Sequence, residues 1–237
     1  MPLALITGAS TGLGYELAAA LAGAGWELII DARRRDLLDH AAARLAGRST
    51  VTAIRGDIAD PDHRGALQAA VAARGRLDLL VHNASTLGPT PLPQLSQVTP
   101  AEFARVLEVN VIAPAALTAA VLPALHTAGG VVVGISSDAA VEHYPGWGAY
   151  GAAKAALDHI HGTLAVEHPE LHVYAVDPGD MRTEMHQAAF PGQDISDRPD
   201  PVTVVPALLR LLEELPPSGR HRAVDWQPIR RAGRVPA

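Results

Sequence analysis

Tyr150 and Lys154 are the residue pair with the clearest chemical meaning in this sequence. They lie four residues apart in a run predicted to be helical, so both side chains project from the same helix face. A lysine ammonium beside a tyrosine stabilises the phenolate and lowers the phenol pKa from its usual value of about 10. We therefore expect Tyr150 to act as a general acid and base. Taken alone, such a pair is common in helices and usually has no catalytic role.

Polar residues near the ends of predicted strands support this interpretation. Ser137 lies 13 residues before Tyr150 (150 − 137) and follows a strand-like run at 131–136. Residues 177–183, with the sequence DPGDMRT, follow another such run. Ligands bind outside the carboxyl ends of strands in doubly wound sheets, so these residues are predicted to share one site. Asn110 is a further candidate, because asparagine is unfavourable inside the helix predicted there.

The turn at 7–14 reads TGASTGLG and lies between a predicted strand and a predicted helix. Glycines let the backbone approach a pyrophosphate closely, and the start of the following helix directs free N–H groups towards it. The turn therefore predicts dinucleotide binding, with an ordinary tight turn as the alternative. It lacks the Gly-Lys-Ser/Thr ending of a triphosphate-binding loop, which disfavours ATP and GTP.

The end of the second predicted strand bears on the choice between NAD and NADP. Counted from the glycine turn, the position that faces the adenosine ribose is Ala32, and Asp31 is expected to point to the other side of the strand. Arg33 follows directly and offers a guanidinium to a 2′-phosphate. NADP(H) is therefore the expected cofactor, with NAD(H) and a ribose-binding Asp31 as the alternative. Asp57, after the third strand, either accepts from the adenine amino group or forms a turn.

Strand-like and helix-like runs alternate along the chain, which predicts right-handed crossovers and a parallel sheet. The expected fold class is α/β, a Rossmann-type doubly wound parallel β-sheet with helices on both faces, in a single domain of residues 1–237. Strong helix starts lie at 60–61 and 99–102. The predicted strands are 3–7, 27–31, 51–55, 77–82, 131–136, 172–177 and an edge strand at 222–226, and the predicted helices are 13–24, 36–46, 61–75, 100–126 with a kink at Pro114, 149–167 and 201–215.

Composition and charge restrict the class of protein. A net charge of −6 gives no basic excess for nucleic acid, and the absence of cysteine excludes disulfides and thiolate sites. The 11 histidines are scattered along the sequence, so no metal site is expected. The short apolar start lacks a basic leader, and no uninterrupted apolar stretch is judged long enough to span a bilayer. We expect a cytoplasmic protein without membrane or nucleic-acid partners.

Taken together, these motifs resemble the short-chain dehydrogenase/reductase family in its single-domain form. The resemblance extends from Leu3 to about Thr183, and its motifs are the glycine turn, Asp57, Asn83-Ala84, Asn110, Ser137, Tyr150 with Lys154, and the segment 178–183. Residues 82–85 read HNAS where the family usually has Asn-Asn-Ala-Gly, Gly151 replaces a frequent serine, and Asp177 replaces a frequent asparagine. None of these departures removes a group that transfers protons.

The resemblance implies hydride transfer between a nicotinamide dinucleotide and a carbonyl or alcohol, with Tyr150 moving the proton. Ser137 would bind the substrate oxygen, Lys154 would hold the nicotinamide ribose, and Asn110 would hold a water of a proton relay. Thr183 and the backbone after Pro178 would hold the carboxamide. The cofactor-binding residues implied by the family are Gly8, Ser10, Thr11, Gly12, Leu13, Gly14, Arg33, Asp57, Ile58, Asn83, Ala84, Tyr150, Lys154, Pro178, Gly179, Met181 and Thr183.

The substrate is expected between residues 137–147 and the segment after Thr183. Residues that could line it are Asp138, His143, Tyr144, Trp147, Asp180, Met181, Met185 and His186. Hydrogen bonds within their own loops are the simpler explanation for the two aspartates. Residues 184–199 either close as a lid or form an ordinary surface loop.

Small residues on the outer face of the Tyr150 helix predict a homodimer or homotetramer, because the family usually associates through that helix. Core packing within one chain is the alternative.

Two other functions remain open on the same fold. One is a regulatory protein that senses NADP(H) without turnover, and the other is an epimerase or dehydratase.

Overall fold

Seven parallel strands form one sheet in a computed structural model of the chain, which describes residues 1–227. Residues 228–237 of the predicted domain lie outside the described residues. The strands are β1 (Leu3–Ile6), β2 (Glu27–Ala32), β3 (Val51–Arg55), β4 (Leu79–His82), β5 (Val131–Ile135), β6 (His172–Asp177) and β7 (Gly219–Arg222). Their spatial order is β3-β2-β1-β4-β5-β6-β7, so the direction of winding reverses between β1 and β4. The predicted α/β, doubly wound fold class is confirmed.

Eight α-helices connect and cover the strands in the described part of the chain. They are α1 (Gly12–Gly23), α2 (Arg35–Ala46), α3 (Pro61–Ala72), α4 (Pro100–Leu107), α5 (Ala113–Ala128), α6 (Gly148–Glu167), α7 (Glu184–Ala189) and α8 (Val205–Glu214). Asp60 caps α3 through a hydrogen bond from the Asp62 N–H, with Pro61 in the first turn, as its sequence predicts.

The side chains of β1 show how both faces of the sheet are covered. Leu3 and Leu5 pack into one apolar cluster, which also contains residues of α3 and α5. Ala4 and Ile6 pack into a second cluster, which contains residues of α1, α2 and α8. Successive side chains of a strand point to opposite faces, and both faces are buried here. This explains why the strands appear in the sequence as continuous apolar runs.

The long helix predicted at 100–126 is interrupted in the structure. Thr99 and Glu102 form the predicted capping box at the start of α4, but a π-helical turn at Glu108–Ile112 separates α4 from α5. Pro114 lies in the first turn of α5. It has no N–H to donate to the Asn110 carbonyl oxygen, which favours the wider turn just before it. The irregularity therefore lies at Asn110 and not, as predicted, at Pro114.

The segment Pro100–Ala128 also corrects the expectation about membrane-spanning runs. By length and composition alone this segment is apolar enough to cross a bilayer, with a mean hydropathy of 1.7 over its best window. Half of that window is buried inside the fold. One such helix is weak support for a membrane span, because a core helix of a folded domain meets the same criterion.

The C-terminal elements differ from their predictions. The edge strand was predicted at 222–226 but lies at Gly219–Arg222, and Ala223–Trp226 form a 3-10 turn. The helix predicted at 201–215 is a 3-10 turn at Pro201–Thr203 followed by α8. The sequence of β7, GRHR, has no apolar alternation that would reveal a strand. Its pairing with β6 is a tertiary contact that overrides local propensity.

Candidate active site

A cleft of about 1170 Å³ lies along the carboxyl edge of the sheet. The loops that follow β1 to β6 form its walls, together with α7. Ligands of doubly wound folds bind at this edge, near the reversal in strand order. The cleft brings together all the predicted cofactor-binding residues except Gly14, and it includes Ser137, Tyr150 and Lys154.

The glycine turn forms one end of the cleft and packs tightly against the loop after β4. Gly8 has a φ of +66°, and a Cβ there would lie 2.9 Å from the Ala84 Cα. A Cβ on Gly14 would collide with the Asn83 amide nitrogen and the Gly8 carbonyl oxygen. Asn83 Nδ2 donates to the carbonyl oxygens of Thr7 and Gly8, at 2.9 and 3.0 Å. Gly14 and Asn83 therefore shape the turn, and Gly14 lies behind the surface of the cleft.

The Asp31 carboxylate forms hydrogen bonds within the protein, beneath the glycine turn. Its Oδ1 accepts the Gly8 N–H at 2.7 Å, and its Oδ2 lies 2.8 Å from His63 Nε2. Asp31 and His63 are 1% and 6% exposed, so this is a buried pair. A buried pair of this kind is difficult to break, because the remaining partner would be left unpaired. Both carboxylate oxygens are thus committed to the protein.

Arg33 and Arg34 lie at the adenosine end of the cleft, beyond Ala32. Both are exposed. Arg34 forms an ion pair of 2.6 Å with Glu184, which reaches across from α7. Within residues 1–227, the Arg33 guanidinium has no hydrogen bond or ion pair, so it is available to an anion.

Asp57 forms a turn after β3, which is the second of its two predicted roles. Its Oδ1 accepts the Ala59 N–H at 3.0 Å, and its Oδ2 pairs with Arg105 of α4. Burial raises the Asp57 pKa, but the hydrogen bonds from Ala59 and Arg105 outweigh burial and hold it below its usual range. Asp57 still borders the cleft, next to Ile58.

Tyr150 and Lys154 lie on α6 beneath β5 and are 8% and 2% exposed. The Lys154 Nζ donates to the Ile135 carbonyl oxygen at 2.7 Å and lies 5.4 Å from the centre of the Tyr150 ring. Burial lowers the Lys154 pKa to about 8, against the opposing effect of Asp158.

The expected lowering of the Tyr150 pKa is wrong for the protein without cofactor. Burial raises the Tyr150 pKa, and the hydroxyls of Ser137 and Ser85 oppose this only in part. Desolvation penalises the phenolate, and the lysine ammonium is directed towards a backbone carbonyl. At neutral pH the side chain is therefore a protonated phenol, which is a proton donor.

Ser137 is held by the 3-10 turn that follows β5. Its hydroxyl donates to Asp138 Oδ1 at 2.9 Å, and Asp138 Oδ2 accepts from the Tyr144 hydroxyl at 3.0 Å. Asp138 thus bonds within its own loop, as the simpler explanation proposed. A Cβ on Gly151 would lie 2.5 Å from the Ala139 carbonyl oxygen, so α6 packs too closely on this turn for a serine there.

Asn110 does not reach the cleft surface. Its Oδ1 accepts the Thr86 N–H at 2.9 Å and the Ser85 hydroxyl at 3.1 Å, and its Nδ2 donates to the Thr86 carbonyl oxygen at 2.8 Å. The side chain therefore anchors the loop after β4. Ser85, which replaces the family's glycine, contributes one of these bonds. Any water at Asn110 would depend on its backbone carbonyl oxygen.

The loop after β6 forms the opposite wall of the cleft. Asp177 Oδ1 accepts the Gly179 N–H at 2.9 Å, which fixes the turn around Pro178. Thr183 caps α7 by accepting the His186 N–H at 3.1 Å, and its hydroxyl donates to no group in residues 1–227. Met181 also lines the cleft.

The predicted substrate end is mainly apolar. Trp147 lies edge-on to Tyr150, with ring centres 5.6 Å apart, and its indole also contacts Phe190. Leu87 and Met185 belong to the same cluster. All the predicted substrate-side residues line the cleft except His143. The helix α7, within the predicted lid segment 184–199, supplies part of this wall.

Sequence reasoning missed two positioning residues. His63 lies on α3 and pairs with Asp31, and only the tertiary fold brings the two together. Arg220 lies in β7 but outside the predicted bounds of the edge strand, and it donates to the Ser137 carbonyl oxygen at 2.9 Å and to Asp158 Oδ2 at 3.0 Å. It also lies 3.5 Å from Asp177. The unusually polar sequence of β7 was the one available signal for Arg220.

Comparison with known proteins identifies relatives of this arrangement. The family model for short chain dehydrogenases matches residues 2–194. An oxidoreductase of Escherichia coli K12 called YciK, itself uncharacterized, is 32% identical over 237 residues, which cover 97% of this chain and 93% of that protein. An 11-beta-hydroxysteroid dehydrogenase 1A of Arabidopsis thaliana is 34% identical over 190 residues. That alignment covers 78% of this chain, and the chain spans only 54% of that relative.

A solved structure from Shigella flexneri 2a has the same fold. It is described as a short chain dehydrogenase complexed with NADP and is 29% identical. The TM-score is 0.87, with 94% of this chain and 97% of that chain covered. The matching proteins are thus oxidoreductases, and at least one of them binds NADP.

Proposed function

The chain belongs to the short-chain dehydrogenase family of NAD(P)-dependent oxidoreductases, and we propose that it transfers hydride between NADP(H) and a carbonyl or alcohol substrate. Tyr150 is the general acid and base of this proposal. One observation carries it. The Tyr150 phenol, Ser137 and Lys154 meet at the carboxyl edge of the sheet, in the same cleft as the glycine turn.

The residues of the cleft fit a nicotinamide dinucleotide. Gly8 and Gly12, with positive φ angles, keep the turn free of side chains, and the start of α1 offers N–H groups to a pyrophosphate. When bound, the nicotinamide supplies or accepts the hydride. Thr183 has a free hydroxyl proton for the carboxamide. Lys154 lines the same cleft and would hold the nicotinamide ribose.

Two observations, one on Asp31 and one on Arg33, support NADP(H) over NAD(H). Both Asp31 oxygens are engaged by Gly8 and His63, so this carboxylate is not presented to a ribose. Arg33 is exposed, borders the cleft and has no partner among residues 1–227. A guanidinium binds a phosphate strongly through paired, charge-assisted hydrogen bonds.

The proton chemistry is assigned to three side chains. The Tyr150 hydroxyl donates its proton to the substrate oxygen in reduction and takes it back in oxidation. Ser137 donates a second hydrogen bond to that oxygen after turning away from Asp138. Lys154 places a positive charge near the tyrosine ring, which stabilises the phenolate that remains after Tyr150 has donated its proton. A water held by the Asn110 carbonyl oxygen connects this lysine to solvent.

The apolar wall around Trp147 favours a substrate with a hydrophobic body next to its carbonyl.

We further propose that residues 1–237 act as one domain and that the active form is a homodimer or homotetramer. The outer face of α6 supports association, because Ala152 and Ala155 are exposed and not packed in the core of the chain.

The test is NADPH oxidation by the purified protein with aldehydes, ketones and quinones, repeated with NADH and with Tyr150→Phe. We expect turnover with NADPH to fall by about 10²–10⁴-fold in the variant, while calorimetric NADPH binding persists. Tyr15→Phe is the matched control, because the Tyr15 ring lies near Arg44 on the other side of α1 and outside the cleft. Turnover that survives in Tyr150→Phe would refute the assigned mechanism.

A further inference from the structure

Two histidines and a glutamate meet on the surface, far along the sequence from one another. His126 lies in the last turn of α5, His168 caps the C-terminus of α6, and Glu170 precedes β6. His126 Nε2 lies 3.2 Å from His168 Nδ1 and 3.1 Å from Glu170 Oε1. His168 Nδ1 lies 3.8 Å from the same carboxylate oxygen. Three potential ligand atoms therefore form one small triangle.

The size of this triangle matches the coordination sphere of a transition metal. A circle through three points at these separations has a radius of about 2.0 Å, and zinc binds histidine nitrogen and carboxylate oxygen at about 2.0–2.2 Å. An ion near the centre would reach all three atoms without movement of the backbone. Imidazole and carboxylate together suit Zn²⁺, Co²⁺ or Ni²⁺ better than Mg²⁺ or Ca²⁺, which prefer oxygen alone.

The surrounding backbone also favours a cation. The C-terminal ends of α5 and α6 converge here, and each carries partial negative charge from its last carbonyl groups. Hydrogen bonds from Gly129 to His126 and from Leu171 to His168 hold the two chain segments in place. The side chains of His126, His168 and Glu170 are 39%, 24% and 53% exposed, so an ion can enter from solvent.

We propose that His126, His168 and Glu170 form a binding site for a divalent transition metal ion, with water completing the coordination. The site lies at the amino edge of β5 and β6, which is the edge opposite the active-site cleft. Its role is structural, because it ties the end of α5 to the end of α6. No metal site was expected from the sequence, since residues 126 and 168 are separated by a strand and a helix.

The experiment titrates chelator-treated, untagged full-length protein with Zn²⁺ by calorimetry, and with Co²⁺ by visible absorption. We expect one Zn²⁺ per chain and no comparable binding of Mg²⁺. At a Zn²⁺ concentration about 100-fold above Kd, the Tm is expected to rise by about 5–10 °C. Binding weakens at acidic pH, because protonated imidazole cannot bind a metal.

Three single variants and their combination define the ligands. His126→Gln, His168→Gln and Glu170→Gln are each expected to weaken Zn²⁺ binding by at least about tenfold, and the triple variant to abolish it. His40→Gln is the matched control, an exposed histidine of α2 outside the triangle. Absence of Zn²⁺ binding by the wild type, or undiminished binding by the triple variant, overturns the proposal.

The metal site and the proposed function are tested separately. Tyr150→Phe is expected to bind Zn²⁺ as the wild type does, and the triple variant to keep NADPH turnover. Loss of Zn²⁺ binding in Tyr150→Phe would show that the ion binds in the cleft, and this would refute the surface site.

Discussion

For individual residues, the choice between NAD(H) and NADP(H) depends on the different roles of Asp31 and Arg33. In the sequence alone, the acidic Asp31 at the end of β2 leaves NAD(H) as the alternative to the expected NADP(H). In the fold, however, Gly8 and His63 bind both of its oxygens. Beside it, Arg33 lines the cleft and has no hydrogen bond or ion pair among residues 1–227, so its guanidinium can bind a 2′-phosphate.

Arg33→Ala is expected to raise the KM for NADPH by about 10–100-fold and to leave the KM for NADH nearly unchanged, because only NADPH loses a charged hydrogen bond. Steady-state kinetics with both cofactors measure the effect. Arg34→Ala is the control, since its guanidinium already pairs with Glu184. Equal losses with NADH and NADPH would show that Arg33 does not contact the 2′-phosphate.

The buried Lys154 makes a prediction about pH that can be followed directly. It is the only lysine in the sequence, so ¹³C-lysine labelling gives one side-chain signal in an NMR titration. Its chemical shift is expected to titrate near pH 8, the pKa that burial imposes, instead of near 10.5. A midpoint above pH 10 would mean that the ammonium is far better solvated than its 2% exposure indicates.

The same shift has a consequence for stability. Between pH 8 and 10.5 the unfolded chain retains a proton on this lysine that the folded chain has released, so stability increases with pH in this window. Lys154→Met lacks this increase, which amounts to about 2 kcal/mol between pH 7 and 9.5. Urea unfolding of both proteins at the two pH values measures the difference. Parallel pH profiles would contradict the expectation.

At the scale of the element, two irregular pieces of secondary structure position the site. The π-helical turn before α5 buries Asn110, and its amide holds the loop after β4. The edge strand β7 carries Arg220, which connects the Ser137 loop to α6 and the end of β6. The π-helical turn places Asn110 where a regular helix would not, and β7 places Arg220 where an apolar strand would have no polar side chain.

Arg220→Met is expected to lower kcat by about 10–100-fold while changing the KM for NADPH much less, because the Ser137 loop loses its anchor. The variant is also expected to lose stability, since Asp158 and Asp177 are largely buried and lose their cation. Arg222→Met on the same strand is the control, because Arg222 is exposed and pairs with Asp225. Similar kinetics for the two variants would show that Arg220 does not position the Ser137 loop.

For the molecule as a whole, the surface that the proposed oligomer would cover is the outer face of α6 and its surroundings. Ala152 and Ala155 are exposed there, and Ile112 and Val166 are 49% and 81% exposed. Small residues allow another helix to approach closely, and exposed β-branched side chains gain from being covered.

Ala155→Arg is expected to convert the native oligomer to a monomer, because a large charged side chain cannot be accommodated between closely packed helices. Size-exclusion chromatography with light scattering measures the mass. Ala43→Arg, an exposed alanine on α2, serves as the control. A wild-type protein that is already monomeric would refute the proposed assembly.

Local patterns in the sequence were sufficient to predict the fold class and most of the elements. Apolar runs, proline at helix starts and the Thr99 capping box are local signals, and they correctly indicated the parallel sheet and α4. The cleft residues could also be predicted, because the carboxyl ends of parallel strands meet at one edge whatever the details of packing.

The partners and protonation of particular polar groups, by contrast, depend on the folded arrangement. The partners of Asp31, the raised Tyr150 pKa, the anchoring by Arg220 and the meeting of His126 with His168 all depend on residues distant in the sequence. Hydrogen bonding and desolvation act over a few ångströms, and the local sequence does not specify which remote groups will lie within that range. The chemical groups were therefore visible in the sequence, while their protonation and their partners were set by the fold.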